Sequence, residues 1–271
     1  LRPLAYQTHP YQWPTIGKEL SHIANATLEE VEAFFFRFYA PNNAILAVTG
    51  NISFEEAVAL TEKWFGSIPR REVPQRNLPQ EQEQTKERRL TVERNVPLDS
   101  LFMAYHMPAH CHPDYYAFDI LSDVLSNGRS SRLSQRLVQQ KQLFSSIDAY
   151  ISGSVDAGLF HISGKPSAGV TLEQAEAAVR EELDLLQQEL VDEQELEKVK
   201  NKFESTQIFG NINYLNVATN LAWYELLGRA EDMEKEVDRY RSVTAEQLRA
   251  VAQSAFRKEN GVILYYKKQQ N

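Results

Sequence analysis

His106, His110, Cys111 and His112 form the densest group of metal-capable side chains in the sequence. Imidazole and thiolate suit zinc or copper, so the group could hold a metal. It lies between Pro108 and Pro113, where a strand should end and a helix begin. A turn of that kind also reads as an exposed polar loop. No fourth ligand stands out elsewhere.

A second group is Asn127-Gly128-Arg129-Ser130-Ser131-Arg132. Amides, hydroxyls and two guanidiniums at the start of a helix could hold an anion such as a peptide carboxylate. The same residues have a structural use, with Gly128 stopping one helix and Ser130 capping the next. Residues 171–200 carry many acids and few bases. They read as an acidic wall for basic peptides or as the solvated face of two amphipathic helices. Asn25-Ala26-Thr27 and Asn51-Ile52-Ser53 match the glycosylation sequon, and helix caps explain both. There is no serine in a glycine elbow, no phosphate-binding glycine loop and no paired-histidine helix. The residues of this chain therefore make no complete active site.

The elements that would position these groups follow from periodicity. Residues 1–26 hold Pro3, Pro10 and Pro14, which forbid a long helix. Thr27 with Glu30 opens a capped helix bearing Leu28, Val31, Phe35 and Phe38 on one face. Ala44 to Thr49 reads as a buried strand, and Ser53 caps a helix that should bury Ala57, Leu60 and Trp64. Residues 70–89 are polar and proline-bearing, with almost nothing to bury, and mark a linker. Strands are expected at Leu90–Arg94, Leu101–Met107, Ser145–Ser152, Leu159–Gly164 and Val262–Tyr266. Helices are expected from Pro113 to near Gly128, Ser130 to about Gln142, and onward from the Thr171 and Asp192 caps. The Thr171 helix should carry an apolar stripe from Leu172 to Leu190. Further helices should cover Tyr214–Leu227, Glu231–Tyr240 and the stretch after Thr244. The class is α+β, a mixed sheet with helices on one face.

Thr27–Val48 is echoed without a gap by Thr244–Tyr265, an offset of 217 residues. Thr27/Thr244, Glu29/Glu246, Ala33/Ala250 and Asn43/Asn260 are identical. The echo implies the incomplete end of a first α+β domain (1–69), the linker (70–89) and a complete second domain of the same fold (90–267). The start of the first copy then falls roughly 130 residues before Leu1. The chain opens without an initiating Met and reads as a fragment or processed chain, so the compartment, cytoplasmic or periplasmic, stays open.

At 271 residues, 42% hydrophobic and 24% charged, the chain can bury real cores. Its single cysteine excludes an internal disulfide and a multi-cysteine zinc site. A net charge of −8 argues against a nucleic-acid binder. No apolar run approaches the ~18 residues of a membrane helix.

The phrases His9-Pro10-Tyr11, Trp13-Pro14-Thr15-Ile16-Gly17 and Tyr39-Ala40-Pro41-Asn42-Asn43-Ala44 resemble the inverted-zincin metallopeptidases, the pitrilysin, insulinase and mitochondrial-processing-peptidase group. So do His112-Pro113-Asp114-Tyr115-Tyr116-Ala117, Ser130-Ser131-Arg132-Leu133 and Leu137 to Ile147. The resemblance implies paired domains of like fold, with zinc held in the first by a His-x-x-Glu-His helix and a later Glu. No His-x-x-Glu occurs here. The offset places that helix roughly 95–105 residues upstream of Leu1. Zinc is then expected in the full-length parent, with no catalytic or metal residue in this chain. Active relatives carry an Arg and a Tyr for substrate in a Leu-Arg-x-x-x-x-Leu-x-Tyr phrase. Val138 and Ser145 stand at those positions. Arg129, Arg132, Arg136 and Ser145 are the residues that could contact substrate instead.

The implied function is the substrate-enclosing C-terminal part of a zinc metalloendopeptidase, inactive as this fragment. The alternative is a non-catalytic, peptidase-like partner or scaffold subunit. Expected partners are a peptide substrate, the upstream half of the catalytic domain, and a second copy in a homodimer or a related subunit.

Overall fold

The computed structural model describes residues 1–269. Its helices begin with α1 (Arg2–Ala5), α2 (Leu20–Ala24), α3 (Leu28–Phe38), α4 (Phe54–Phe65) and α5 (Tyr115–Ser126). They continue with α6 (Leu172–Gln188), α7 (Glu193–Gly210), α8 (Tyr214–Leu227), α9 (Glu236–Arg241) and α10 (Ala245–Ala255). The strands are β1 (Arg88–Arg94), β2 (Ser100–Met107), β3 (Phe144–Ser152), β4 (Gly158–Pro166) and β5 (Gly261–Lys268). Two units result: Leu1–Gln12 with Gln80–Glu204 and Val237 onward, and Trp13–Pro79 with Ser205–Glu236. Residues 1–12 thus group with the sheet, although they stand far from it in sequence.

The first unit is built on one mixed sheet of order β1-β5-β2-β4-β3. β1 runs parallel to β5, and the other neighbours are antiparallel. Alternation along β2 sends Leu101, Met103, Tyr105 and Met107 to one face. There they meet Ile120, Leu121 and Val124 of α5, Val179 and Leu183 of α6, and Leu248 and Val251 of α10 in one core. On the opposite face Ala104, Leu159 and Val262 receive Ala5 and Tyr6 from the N-terminal segment. α6 is braced to the β1–β5 side of the sheet by Glu176, which accepts from Arg89 (3.0 Å), Arg180 (2.8 Å) and the Tyr265 hydroxyl (2.6 Å).

The sequence echo is also an echo of hydrogen bonds. Thr27 and Thr244 each form a capping box, with Glu30 and Gln247. α3 and α10 start and stop at matching positions, and each is followed by a 3-10 turn, Pro41–Asn43 and Lys258–Asn260. The Asn43 amide donates to Phe38 O at 2.8 Å, and the Asn260 amide to Ala255 O at 2.8 Å. The two copies part in burial. Leu248, Val251, Ala252, Ala255 and Phe256 are all buried. Of their counterparts, Val31, Phe34, Phe35 and Tyr39 are 56%, 57%, 48% and 63% exposed, and Phe38 is half-buried. The Asn260 amide also donates to the His106 carbonyl at 3.1 Å inside the core. Asn260→Ala should therefore cost about 1–2 kcal/mol, since it orphans buried acceptors. Asn43→Ala, on an exposed turn, should cost under about 0.5 kcal/mol. Urea unfolding of both variants checks the contrast.

Several expectations are corrected. Residues 44–49 form no strand, although Ala44 is extended, and Ile45, Leu46 and Val48 are 41%, 57% and 49% exposed. A strand needs a neighbour, and none lies beside this stretch among the described residues. α4 is capped by Ser53 as expected, but Leu60 and Trp64 stay exposed for want of a covering layer. Leu190 lies beyond the end of α6 and is exposed. The Ser130–Gln142 helix winds as a π-helix over Ser134–Gln140, and Lys141 N donates to Arg136 O. Glu231–Tyr240 divides into a 3-10 stretch, Ala230–Lys235, and α9. The polar stretch 70–89 is not without buried groups. Gln84 is buried, its amide donating to Glu259 O and Gly261 O at 2.8 Å each, and β1 begins at Arg88. A polar side chain can be buried when backbone groups satisfy it.

Candidate functional site

The four metal-capable side chains do not converge. His106 lies on β2, with Nε2 3.1 Å from Ala5 O. His110 is buried, its ring centroid 4.3 Å from that of Tyr115. Cys111 is exposed, and His112 Nδ1 accepts from Asp114 N at 3.2 Å. Among the described residues no three His, Cys, Asp or Glu side chains are placed to share a metal ion. The donor set at this turn does not fit a catalytic zinc.

The Asn127–Arg132 turn is folded by its own backbone. Gly128 takes φ +97°, the left-handed region that favours glycine. The Ser131 hydroxyl donates to Gly128 O at 2.7 Å. Ser130 does not cap the next helix as expected; its hydroxyl and carbonyl face the Lys198 ammonium at 3.2 and 3.3 Å. The four substrate-contact candidates are dispersed in their bonding. Arg132 is held by Glu195 through contacts of 2.7, 3.1 and 3.2 Å, largely out of solvent. Arg136 pairs with buried Glu182 at 2.7 Å. Arg129 is exposed, and its carbonyl accepts from Gln139 at 2.9 Å. Ser145 is exposed, and its hydroxyl donates to Lys165 O at 3.1 Å. Val138, at the position of an Arg in the relatives' phrase, packs partly against the core.

The polar groups that sequence reasoning missed anchor residues 6–12. His9 Nε2 lies 3.2 Å from Asp156 Oδ2, and the Ser154 hydroxyl donates to Tyr11 OH at 2.7 Å. The Tyr6 hydroxyl donates to Ala157 O at 3.1 Å. The His9-Pro10-Tyr11 phrase thus grips the β3–β4 turn. Glu81 accepts from the backbone N–H of Gln7 (2.9 Å), Thr8 (2.9 Å) and His9 (3.0 Å). Burial would raise its carboxyl, but these donors outweigh burial and hold the pKa down to about 2. His161, on β4, is stacked on Tyr150 with 4.8 Å between centroids, and burial with the nearby Arg2 charge lowers it to about 4. No spacing rule flags Glu81 or Asp156, because their partners are backbone amides or a histidine far away in the chain.

In the second unit a cleft of ≈ 490 Å³ is lined by Val48, Thr49, Ile52, Phe54 and Ala57 and by Asn211, Tyr214 and Val217. Thr49 Oγ1 donates to Tyr214 O there at 2.7 Å. Apart from the Tyr214 phenol, its lining carries no ionisable side chain. No helix among the described residues is long and apolar enough to cross a membrane.

This mixed α+β fold recurs in known proteins. The chain is 30% identical over 201 residues to the Helicobacter pylori zinc protease PqqE, covering 72% of this chain and 45% of that protein. It is 24% identical over 265 residues to the uncharacterized zinc protease YmxG of Bacillus subtilis, covering 97% of this chain and 63% of that one. It therefore spans about half to two thirds of the length of these relatives. The crystal structure of a protease from Helicobacter pylori matches with a TM-score of 0.89 at 26% identity, over 98% of this chain and 65% of that one. A Pseudomonas fluorescens peptidase M16 inactive domain matches with a TM-score of 0.85 at 20% identity, over 99% of this chain and 64% of that one. Residues 25–203 match the family described as the peptidase M16 inactive domain, and the chain belongs to that family.

Proposed function

We propose that the chain is the non-catalytic, carboxy-terminal portion of a zinc-dependent metalloendopeptidase that hydrolyses peptides. Residues 1–69 serve as the end of its first domain, 70–89 as the connector and 90–267 as the second, substrate-enclosing domain. One observation carries this reading: the face that is buried on α10 and β5 is bare on α3 and the 44–49 stretch. Apolar helix and strand faces of this size require a cover. In the second copy that cover is supplied by α5, α6 and the flanking strands. An upstream segment of like fold would supply it for the first copy, and by the 217-residue offset would bear the zinc motif. Arg129 and Ser145 are the candidates left exposed for peptide contact, whereas Arg132 and Arg136 are engaged by carboxylates.

A specific observation favours a second reading, a peptidase-like partner without activity of its own. The positions of the relatives' Arg and Tyr carry Val138 and a short Ser145, which cannot hydrogen-bond substrate as a guanidinium and a phenol do. One experiment separates the two. The chain is produced alone and as part of its full-length protein, and cleavage of an unstructured peptide is measured with and without a chelator. The enzyme reading expects chelator-sensitive cleavage by the full-length protein only. Absence of cleavage by a folded, zinc-supplied full-length protein supports the partner reading. Chelator-sensitive cleavage by the chain alone would falsify both.

A further inference from the structure

β3 ends the sheet, and on its outer side no further strand lies among the described residues. An end strand offers its backbone N–H and C=O groups to any strand that approaches, which makes it a template for association. On β3 the middle of that edge is occupied. Ser126, the last residue of α5, donates its hydroxyl to Ala149 O at 2.7 Å and accepts from Ala149 N at 2.7 Å. A hydroxyl can donate and accept at once, so one side chain satisfies both groups. Backbone groups alternate in direction along a strand, so Ile147 and Ile151 turn theirs to the same edge as Ala149. Ser126 therefore interrupts what would otherwise be three consecutive pairing positions.

The rest of β3 is suited to pairing. Tyr150 is 50% exposed and is a strong strand former; β3 holds no proline and no lysine, and its one charge, Asp148, would face Tyr150 and not its own copy when Ala149 faces Ala149. Two such strands laid antiparallel, with Ala149 facing Ala149, would form a closed two-fold contact that is self-complementary. The geometry points to Ser126 as an edge guard: its hydroxyl keeps β3 from pairing with the β3 of a second copy of this chain. The placement is firm because α5 is anchored immediately before Ser126 by Val124 and Leu125, both buried.

The test compares the full chain with its Ser126→Ala and Ser126→Thr variants by sedimentation velocity over a range of concentrations. Amide hydrogen exchange is followed in parallel. Ser126→Ala should raise the self-association constant at least tenfold over the unsubstituted chain. The Ile147 and Ile151 amides should become more protected as its concentration rises. Ser126→Thr, which keeps the hydroxyl, should behave as the unsubstituted chain. Should Ser126→Ala not fold, Ser126→Cys keeps the volume with a much weaker donor and gives the same readout. Unchanged association in a folded variant overturns the guard. So does stronger association without protection at Ile147 and Ile151, since another surface would then be responsible.

Discussion

Replacing Glu176 with Ala is expected to destabilise the sheet unit by about 3–5 kcal/mol, the range for removing one partner from a buried ion network. The carboxylate is 5% exposed and is shared by Arg89, Arg180 and the Tyr265 hydroxyl. Burial alone would raise its pKa. Hydrogen bonds from Arg89, Tyr265 and Arg180 outweigh burial and lower it instead. Removing it leaves the Tyr265 hydroxyl without its acceptor and the Arg180 guanidinium with Glu87 alone, at the junction of α6 with β5. Arg89→Ala should cost less, because that side chain is 47% exposed and water can replace its partner. Urea unfolding followed by circular dichroism checks both, with the loss seen as a lower midpoint at constant slope. Equal costs for the two variants would show that the network is not organised around Glu176.

Acid should lower the stability of the same unit over two successive pH ranges. His161 is lowered to about 4 in the fold, against an ordinary 6.5. The unfolded chain binds that proton more readily, so stability present above pH 6.5 is lost as pH falls toward 4. The loss is about 3 kcal/mol from this group. Glu81 is lowered to about 2 from 4.5. Its contribution, also about 3 kcal/mol, is present above pH 4.5 and is lost as pH falls toward 2. Thermal unfolding between pH 8 and pH 2 should show both slopes. His161→Phe, which keeps the stack on Tyr150, should flatten the upper one. Glu81→Gln should flatten the lower one and free residues 7–9, whose amides it holds. A single slope unaltered by either variant would place the sensitivity elsewhere.

Much of the fold was legible from the residues because its signals are local. The Thr27, Thr171 and Thr244 caps act within one turn and form as expected. All five strands of the sheet fall where alternation and turn residues place them, to within a few residues. The repeat was legible for the same reason: it is written in caps, apolar spacing and one asparagine, each acting over a few positions. The absence of a His-x-x-Glu phrase was equally plain.

The failures share one cause. Val31, Phe35 and Leu46 carry the same apolar pattern as their buried counterparts, and pattern cannot say whether a covering layer exists. Arg132 and Arg136 read as possible substrate contacts, but Glu195 and Glu182, from helices 40 or more residues away, hold them. Gln84 and Glu81 read as linker because their partners are backbone groups, which no side-chain spacing reveals. The sequence by itself determined the elements, the repeat and the lack of a zinc motif. Only the tertiary structure decided which faces are covered, which charges are paired and which edge is closed. Burial and pairing depend on groups brought together from distant parts of the chain, whereas propensity, period and capping act between near neighbours.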